Sequence, residues 1–194
     1  MKQTSWLIIA IVFAAPVCHA QFPPKSHLDS GGNSFGRRES LPLLSALKEP
    51  SLLTLASNPL LHSYRFLWMR SFNPPIAIRI DINLDGTATL TTKMGNGAGS
   101  YARGRLIVNK HQVLSRDEVK SFLTLVDRVN FWSSQDTLDN QFGMDGSIWI
   151  IEGIRNGTYH VIEHWSPMSG TVHELGMFLA FRLAKMYVPK REIY

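Results

Sequence analysis

The clearest signal in this chain is alternation. Ile76, Ile78, Ile80 and Ile82 are separated by Ala77, Arg79 and Asp81, the period of two that marks a strand with one buried face. Asn83-Leu84-Asp85-Gly86 follows, with the chemistry of a type I turn closed by a left-handed Gly. A three-residue loop, Leu84 to Gly86, sets Ile82 opposite Ala88, Ile80 opposite Leu90 and Ile78 opposite Thr92. A two-residue loop would set Ile80 opposite Thr91 and mix the faces, so the three-residue register is expected. Ile148 to Arg155 and Thr158 to Trp165 form a second pair of strands joined by Asn156-Gly157, the strongest short hairpin signal. Tyr64 to Phe72, ended by Asn73-Pro74-Pro75, reads as a strand partly covered on both faces, and Arg105 to Leu114 as another.

Helices show a different spacing. Ser115 and Glu118 form a capping box ahead of Val119, Phe122, Leu123, Val126 and Val129, an amphipathic stripe. Thr171 is expected to cap a last helix, with Glu174 three residues on. Its buried stripe is Val172, Leu175, Phe178, Leu179, Leu183 and Met186. The order is β-β-β-β-α-β-β-α. It predicts an α+β fold: a mostly antiparallel sheet of about six strands with two main amphipathic helices on one face.

Around that body, residues 1–20 have the layout of a secretory signal peptide. Lys2 carries a charge, Leu7 to Val17 is apolar, and cleavage is expected after Ala20. Eleven apolar residues span roughly 16 Å as a helix, about half of a ~30 Å hydrocarbon core, so no transmembrane span is expected after processing. The alternative is a lipid anchor on Cys18, although Ala15-Pro16-Val17 is a poor approach to it. Residues 21–40, rich in Pro, Gly, Ser and Arg, are expected to be a flexible linker. Residues 41–62 are leucine-rich but broken by Pro42, Pro50 and Pro59, and are expected to form short helical turns. Residues 63–188 make the single α+β domain and 189–194 a C-terminal tail.

Composition narrows the possibilities. Cys18 is the one cysteine, and cleavage at Ala20 removes it, leaving no disulfide, thiolate metal site or cysteine nucleophile. The same cut takes the charge excess from +5 to +4 by removing Lys2. The basic residues form no stripe interleaved with aromatics, which argues against nucleic acid as a partner. Lys185, Lys190 and Arg191 leave room for weak association with an anionic membrane surface.

The second hairpin carries the candidate chemistry. Its register places Glu152 opposite Val161 and Ile150 opposite Glu163, two carboxylates roughly 5 to 8 Å apart on one face. Such a pair can do acid–base work if burial raises one pKa. The competing reading is that each meets an arginine from a neighbouring strand, with Arg65, Arg70 and Arg79 available. The other face carries Trp149 opposite His164 and Gly153 opposite His160. The two histidines are about 13 Å apart along the strand, too far to share a metal. With His173 and Asp145 they are the richest local polar set, but no spacing is diagnostic of zinc. Asp136, Asp139 and Asp145 lack a calcium-loop pattern. Gly95, Gly97, Gly99 and Gly104 match no phosphate loop, and Ser45-Ala46-Leu47-Lys48 matches S-x-x-K without its partner motifs. No cofactor is expected.

The strings Tyr64 to Phe72, Asp85-Gly86-Thr87, Asp145-Gly146, and Tyr159-His160-Val161 through Trp165-Ser166-Pro167 resemble a group of exported bacterial proteins of unknown function. The resemblance spans about Tyr64 to Tyr187. It implies bacterial export and carries no activity.

The chain therefore reads as an exported envelope protein, periplasmic or extracellular. Its expected role is non-enzymatic binding of a protein or small ligand through the sheet face and the Gly95 to Gly104 loop, with Arg70, Arg79, Trp149, His160 and His164 as binding candidates. The alternative is a small hydrolase or metal-dependent enzyme using Asp145, His160, Glu163 and His164.

Overall fold

In the computed structural model, which describes residues 35–98, 102, 104–135 and 145–194, the first strand of the chain lies in the middle of the sheet. β1 (Ser63–Arg70) pairs with β2 (Ile76–Ile82) on one side and β5 (Ser147–Arg155) on the other. β3 (Ala88–Gly95) and β4 (Leu106–Leu114) extend the sheet past β2, and β6 (Thr158–Trp165) extends it past β5. Every ladder is antiparallel, and the order is β4-β3-β2-β1-β5-β6. The fold is α+β. All eight residues of β1 are buried, which explains why its sequence lacks alternation: a strand covered on both faces has no solvent side to mark.

Both hairpin registers are the expected ones. Ile82 lies opposite Ala88, Ile80 opposite Leu90 and Ile78 opposite Thr92, and Gly86 closes the turn with φ 84°. Arg155 lies opposite Thr158 across Asn156 and Gly157, whose φ angles of 54° and 74° are those of a type I′ turn. In the first turn Asp85 Oδ1 accepts from Thr87 Oγ1 at 2.7 Å and Thr87 N at 2.9 Å, which holds its carboxyl below the usual carboxylate range.

One face of the sheet packs against the two main helices. α3 (Arg116–Arg128) has the expected capping box: Ser115 Oγ accepts from Glu118 N at 3.3 Å, and Glu118 Oε2 accepts from Ser115 N at 2.9 Å. It buries Val119, Phe122, Leu125 and Val126 on the isoleucines of β2 and on Tyr64 and Phe66 of β1. α4 (Gly170–Met177) runs straight into a π-helix (Phe178–Leu183), and Ala184 N donates to Leu179 O, five residues back, at 2.9 Å. The cap of α4 needs correcting. Ser169, not Thr171, is the N-cap, and Thr171 Oγ1 instead donates to Val129 O at 3.0 Å, tying the start of α4 to the end of α3.

The other face is covered as well. α1 (Phe35–Ala46) and α2 (Leu52–Leu55) lie across it. Leu43, Leu44 and Leu47 pack with Leu67, Met69, Ala77, Ile148, Ile150 and Val161, and Leu52 with Ile154. α1 thus begins within the stretch expected as a linker and continues through Pro42. Proline removes one helical hydrogen bond; three buried leucines immediately after it outweigh that loss. Pro50 and Pro59 do fall outside helices. Residues 1–34, with Cys18 and the cleavage position Ala20, lie outside the described residues.

Candidate functional site

The α1–α2 face carries a row of charges across the middle of the sheet. Arg65 of β1 lies opposite Glu152 of β5 and opposite Arg79 of β2. Arg65 Nε donates to Glu152 Oε2 at 2.7 Å, and its Nη1 donates to the Pro50 carbonyl at 2.6 Å. Tyr159 Oη donates to the other oxygen of Glu152 at 2.8 Å. Glu49, in the turn between α1 and α2, is the hub. It accepts from Arg79 Nε at 2.9 Å, lies 2.7 Å from Lys93 Nζ and 3.5 Å from Arg65 Nη1. Lys93 also donates to the Lys48 carbonyl at 2.6 Å. Arg79 pairs with Asp81 as well, and Asp81 accepts from Ser63 Oγ at 2.8 Å.

Burial pushes the Glu49 carboxyl up, but the hydrogen bond from Lys93 and the charges of Arg79, Arg65 and Lys93 outweigh it, so it lies below its ordinary value. Three cations face three carboxylates in this cluster, and its groups are engaged with one another. Its chemistry is fastening: it pins the α1–α2 turn to the sheet.

Next to Arg65 on β1, on the opposite face, the Tyr64 side chain is fully buried, which pushes its hydroxyl up to about 12. Tyr64 Oη lies 3.2 Å from His62 Nε2. Burial, with the nearby charge of Arg155, lowers the His62 pKa, so its imidazole is held neutral. Phe131 meets His160 edge-on at 4.9 Å, and the Arg155 guanidinium sits 4.9 Å above Trp132. These groups form an aromatic plug under the turn of the second hairpin.

A shallow groove, wide open to solvent, lies between α3 and the helix formed by α4 and the π segment. It has a volume of about 530 Å³, within the range of roughly 300–1,000 Å³ usual for small-molecule sites. Leu125 and Arg128 come from α3. The facing wall is His173 and Glu174, Met177 and Phe178, Phe181 and Arg182. These are adjacent pairs repeated every four residues. An α-helix turns a four-residue step about 40° past a full circle, so three such pairs would drift about 80° across the wall. A π turn closes its hydrogen bond one residue later and errs in the opposite direction. The α-to-π change after Met177 cancels the drift and keeps the three pairs facing the cleft. Gly176, Ala180 and Ala184 are buried behind them at the same spacing. A Cβ on Gly176 would stand 2.7 Å from the Trp149 ring, so this wall can approach the sheet only with glycine there.

The structure separates the residues singled out from sequence. Glu163 faces the α1–α2 side of β6, opposite Ile150, whereas His160 and His164 face the α3–α4 side, opposite Gly153 and Trp149. Asp145 is exposed just before β5. The set therefore does not converge, and among the described residues no three His, Cys, Asp or Glu could hold a metal ion. Trp149 is buried against Phe66 and Trp68, with His173 stacked on it at 5.8 Å. Arg70 is buried over Trp68 and donates to the Pro74 carbonyl from Nη2 at 2.7 Å. Arg79 belongs to the Glu49 cluster. Helices cover both faces of the sheet over β1, β2 and β5, whereas Ile107, Asn109, His111 and Val113 of the edge strand β4 are exposed.

The remaining motifs are structural where they are described. Ser45 is exposed on α1, and Lys48 has a left-handed backbone with φ 53°. Asn96 N donates to Arg105 O at 3.1 Å, and Arg105 N to Asn96 Oδ1 at 2.8 Å, so the glycine-rich connection continues the β3–β4 pairing. Gly99, Asp136 and Asp139 lie outside the described residues. Lys185, Lys190 and Arg191 are exposed, while the tail is tied down by Tyr194 Oη donating to Asn73 Oδ1 at 2.8 Å. Among the described residues no helix is long and apolar enough to cross a membrane.

Sequence reasoning did not single out Glu49, Lys93 or the cleft. Lys93 had a signal, since the hairpin register puts it on the face of Arg79 and Asp81. Phe178, expected in the buried stripe of its helix, is half-buried and lines the cleft. Comparison of the chain with protein-family models, with curated proteins and with solved structures finds no match in any of the three.

Proposed function

We propose that this chain is an exported, non-enzymatic binding module of the cell envelope whose ligand site is the cleft between α3 and the α4–π helix. The observation that carries the reading is the run of paired residues at period four along the cleft wall, held in line by the π-helix. π segments are uncommon and recur at functional sites. The apolar lining with a few polar groups at its mouth is the usual composition of a small-molecule site.

An uncharged probe tests the site. Titration of isotope-labelled protein with decanol is expected to shift amide resonances around Leu125, Phe178 and Phe181 and to leave β4 unmoved. Shifts scattered over the surface, or none at saturation, would sink the proposal. Export rests on the pattern of residues 1–20. The intact mass of the protein recovered from an expressing bacterium is expected to be that of a chain starting at Gln21. A lipidated chain starting at Cys18 would replace the free module by an anchored one, and an uncut chain in the cytoplasm would overturn export.

A further inference from the structure

The cleft is asymmetric in charge. Its apolar lining is Leu125, Met177, Phe178 and Phe181, backed by Phe122, whose ring lies 6.1 Å from that of Phe178. Its rim has two guanidiniums and one carboxylate. Arg128 Nη2 donates to Glu174 Oε2 at 2.6 Å, so these two answer each other. His173, which also lines the groove, is stacked on Trp149. The excess positive charge therefore belongs to Arg182, which is exposed and shares the wall with Phe181. Glu118 of α3 feels the charges of Lys185 and Arg182, and its carboxylate already accepts from Ser115 N and Ser115 Oγ, each at 2.9 Å.

Resting on the binding-module reading above, we infer that the cleft takes the monomeric carboxylate of an unbranched alkyl chain. The chain lies along Leu125, Met177 and Phe181, and the carboxylate pairs with Arg182. An arginine presents a fork of donors that matches a carboxylate with two parallel hydrogen bonds. A neutral ligand would leave that guanidinium to water. A polar anion would leave the aromatic wall uncovered. A cation would meet the excess positive charge of the rim. An alkyl carboxylate satisfies both halves of the site.

Paired titrations of the full chain with decanoate and decanol, each below the concentration at which it aggregates, test this. Decanoate is expected to bind about tenfold more tightly than decanol, the size of one charge-assisted hydrogen bond. In Arg182→Gln that preference should fall to near unity with decanol affinity unchanged. Phe181→Ser should weaken both ligands. Because Arg182 is exposed, the first variant should keep the wild-type near-ultraviolet circular dichroism, which confirms that it is folded. Equal binding of the two ligands by the wild-type protein overturns the carboxylate assignment and leaves the cleft reading intact. Failure of both ligands to bind overturns the two readings together. Binding to phosphatidylglycerol vesicles without binding of monomeric decanoate overturns the proposal in favour of a membrane surface.

Discussion

Replacing Glu49 with alanine is expected to cost about 3–5 kcal/mol of folding stability, the loss typical when one member of a buried ion cluster is removed. The carboxylate is buried and serves Arg79, Lys93 and Arg65 together. Without it, three cations face Glu152 and Asp81 alone, and the α1–α2 turn keeps only the Lys93 and Arg65 bonds to its carbonyls. Glu49→Gln keeps the shape and should still lose most of the stability, because the charge does the pairing. Urea unfolding measures both, with the midpoint shifted and the slope unchanged. A loss below about 0.5 kcal/mol for the alanine variant, the scale of ordinary surface substitutions, would mean that the cluster does not fasten the turn.

The acid profile supplies an independent reading of the same residue. The Glu49 pKa is depressed in the folded protein relative to its ordinary value of 4.5. Its contribution is therefore complete above pH 4.5 and is lost as pH falls through the folded value. The wild-type protein should lose stability over that acid window, and Glu49→Gln should lose less there.

Trp149→Ala is expected to cost about 3–5 kcal/mol, as large-to-small changes in a packed core do, and to lower the melting temperature by about 10 °C or more. The ring lies 4.9 Å from Phe66, 4.8 Å from Trp68 and 5.8 Å from His173, and Gly176 approaches it edge to backbone. Its indole N–H donates to Ser147 Oγ at 2.7 Å and to the Tyr194 carbonyl at 3.0 Å. Truncation thus opens a cavity between sheet and cleft wall and removes a tie to the tail. Trp149→Phe should cost less, since it keeps most of the volume and loses the N–H. Thermal melts followed by near-ultraviolet circular dichroism read both. An alanine variant within about 1 kcal/mol of wild type would show that the wall does not lean on this ring.

What the sequence made legible was local. Alternation at Ile76 to Ile82, Asn156-Gly157 and the Ser115–Glu118 box each act over a few residues, and each produced the observed register or cap. What stayed hidden depends on distant partners. Alternation marks only one face of β2 as buried, yet on the other face Thr91 and Lys93 of β3 are buried and Arg79 nearly so. Charges can be buried when they neutralise one another, and the neutralising Glu49 comes from a segment with no periodicity to announce it. The Arg65–Glu152 pair was within reach, because arginines on neighbouring strands were available to the glutamates of the second hairpin. The π-helix was not: Val172, Leu175, Leu179 and Leu183 satisfy an ordinary helical stripe. The histidine set failed for a plainer reason, since neighbours in a strand point to opposite faces.

The position of β1 governs how the chain reaches this arrangement. Strands β1 to β4 form a run in which sequence neighbours are sheet neighbours, and β5 with β6 is a single hairpin. One ladder, β1 with β5, joins the two, bringing Ser63 to Ile154 across about ninety residues. The entropy of closing so long a loop is met before its contacts reward it, which makes this ladder the slow junction of the fold. Both apolar cores and the Arg65–Glu152 pair straddle it. Each core draws residues from both sides of this seam, so urea unfolding is expected to be a single cooperative transition.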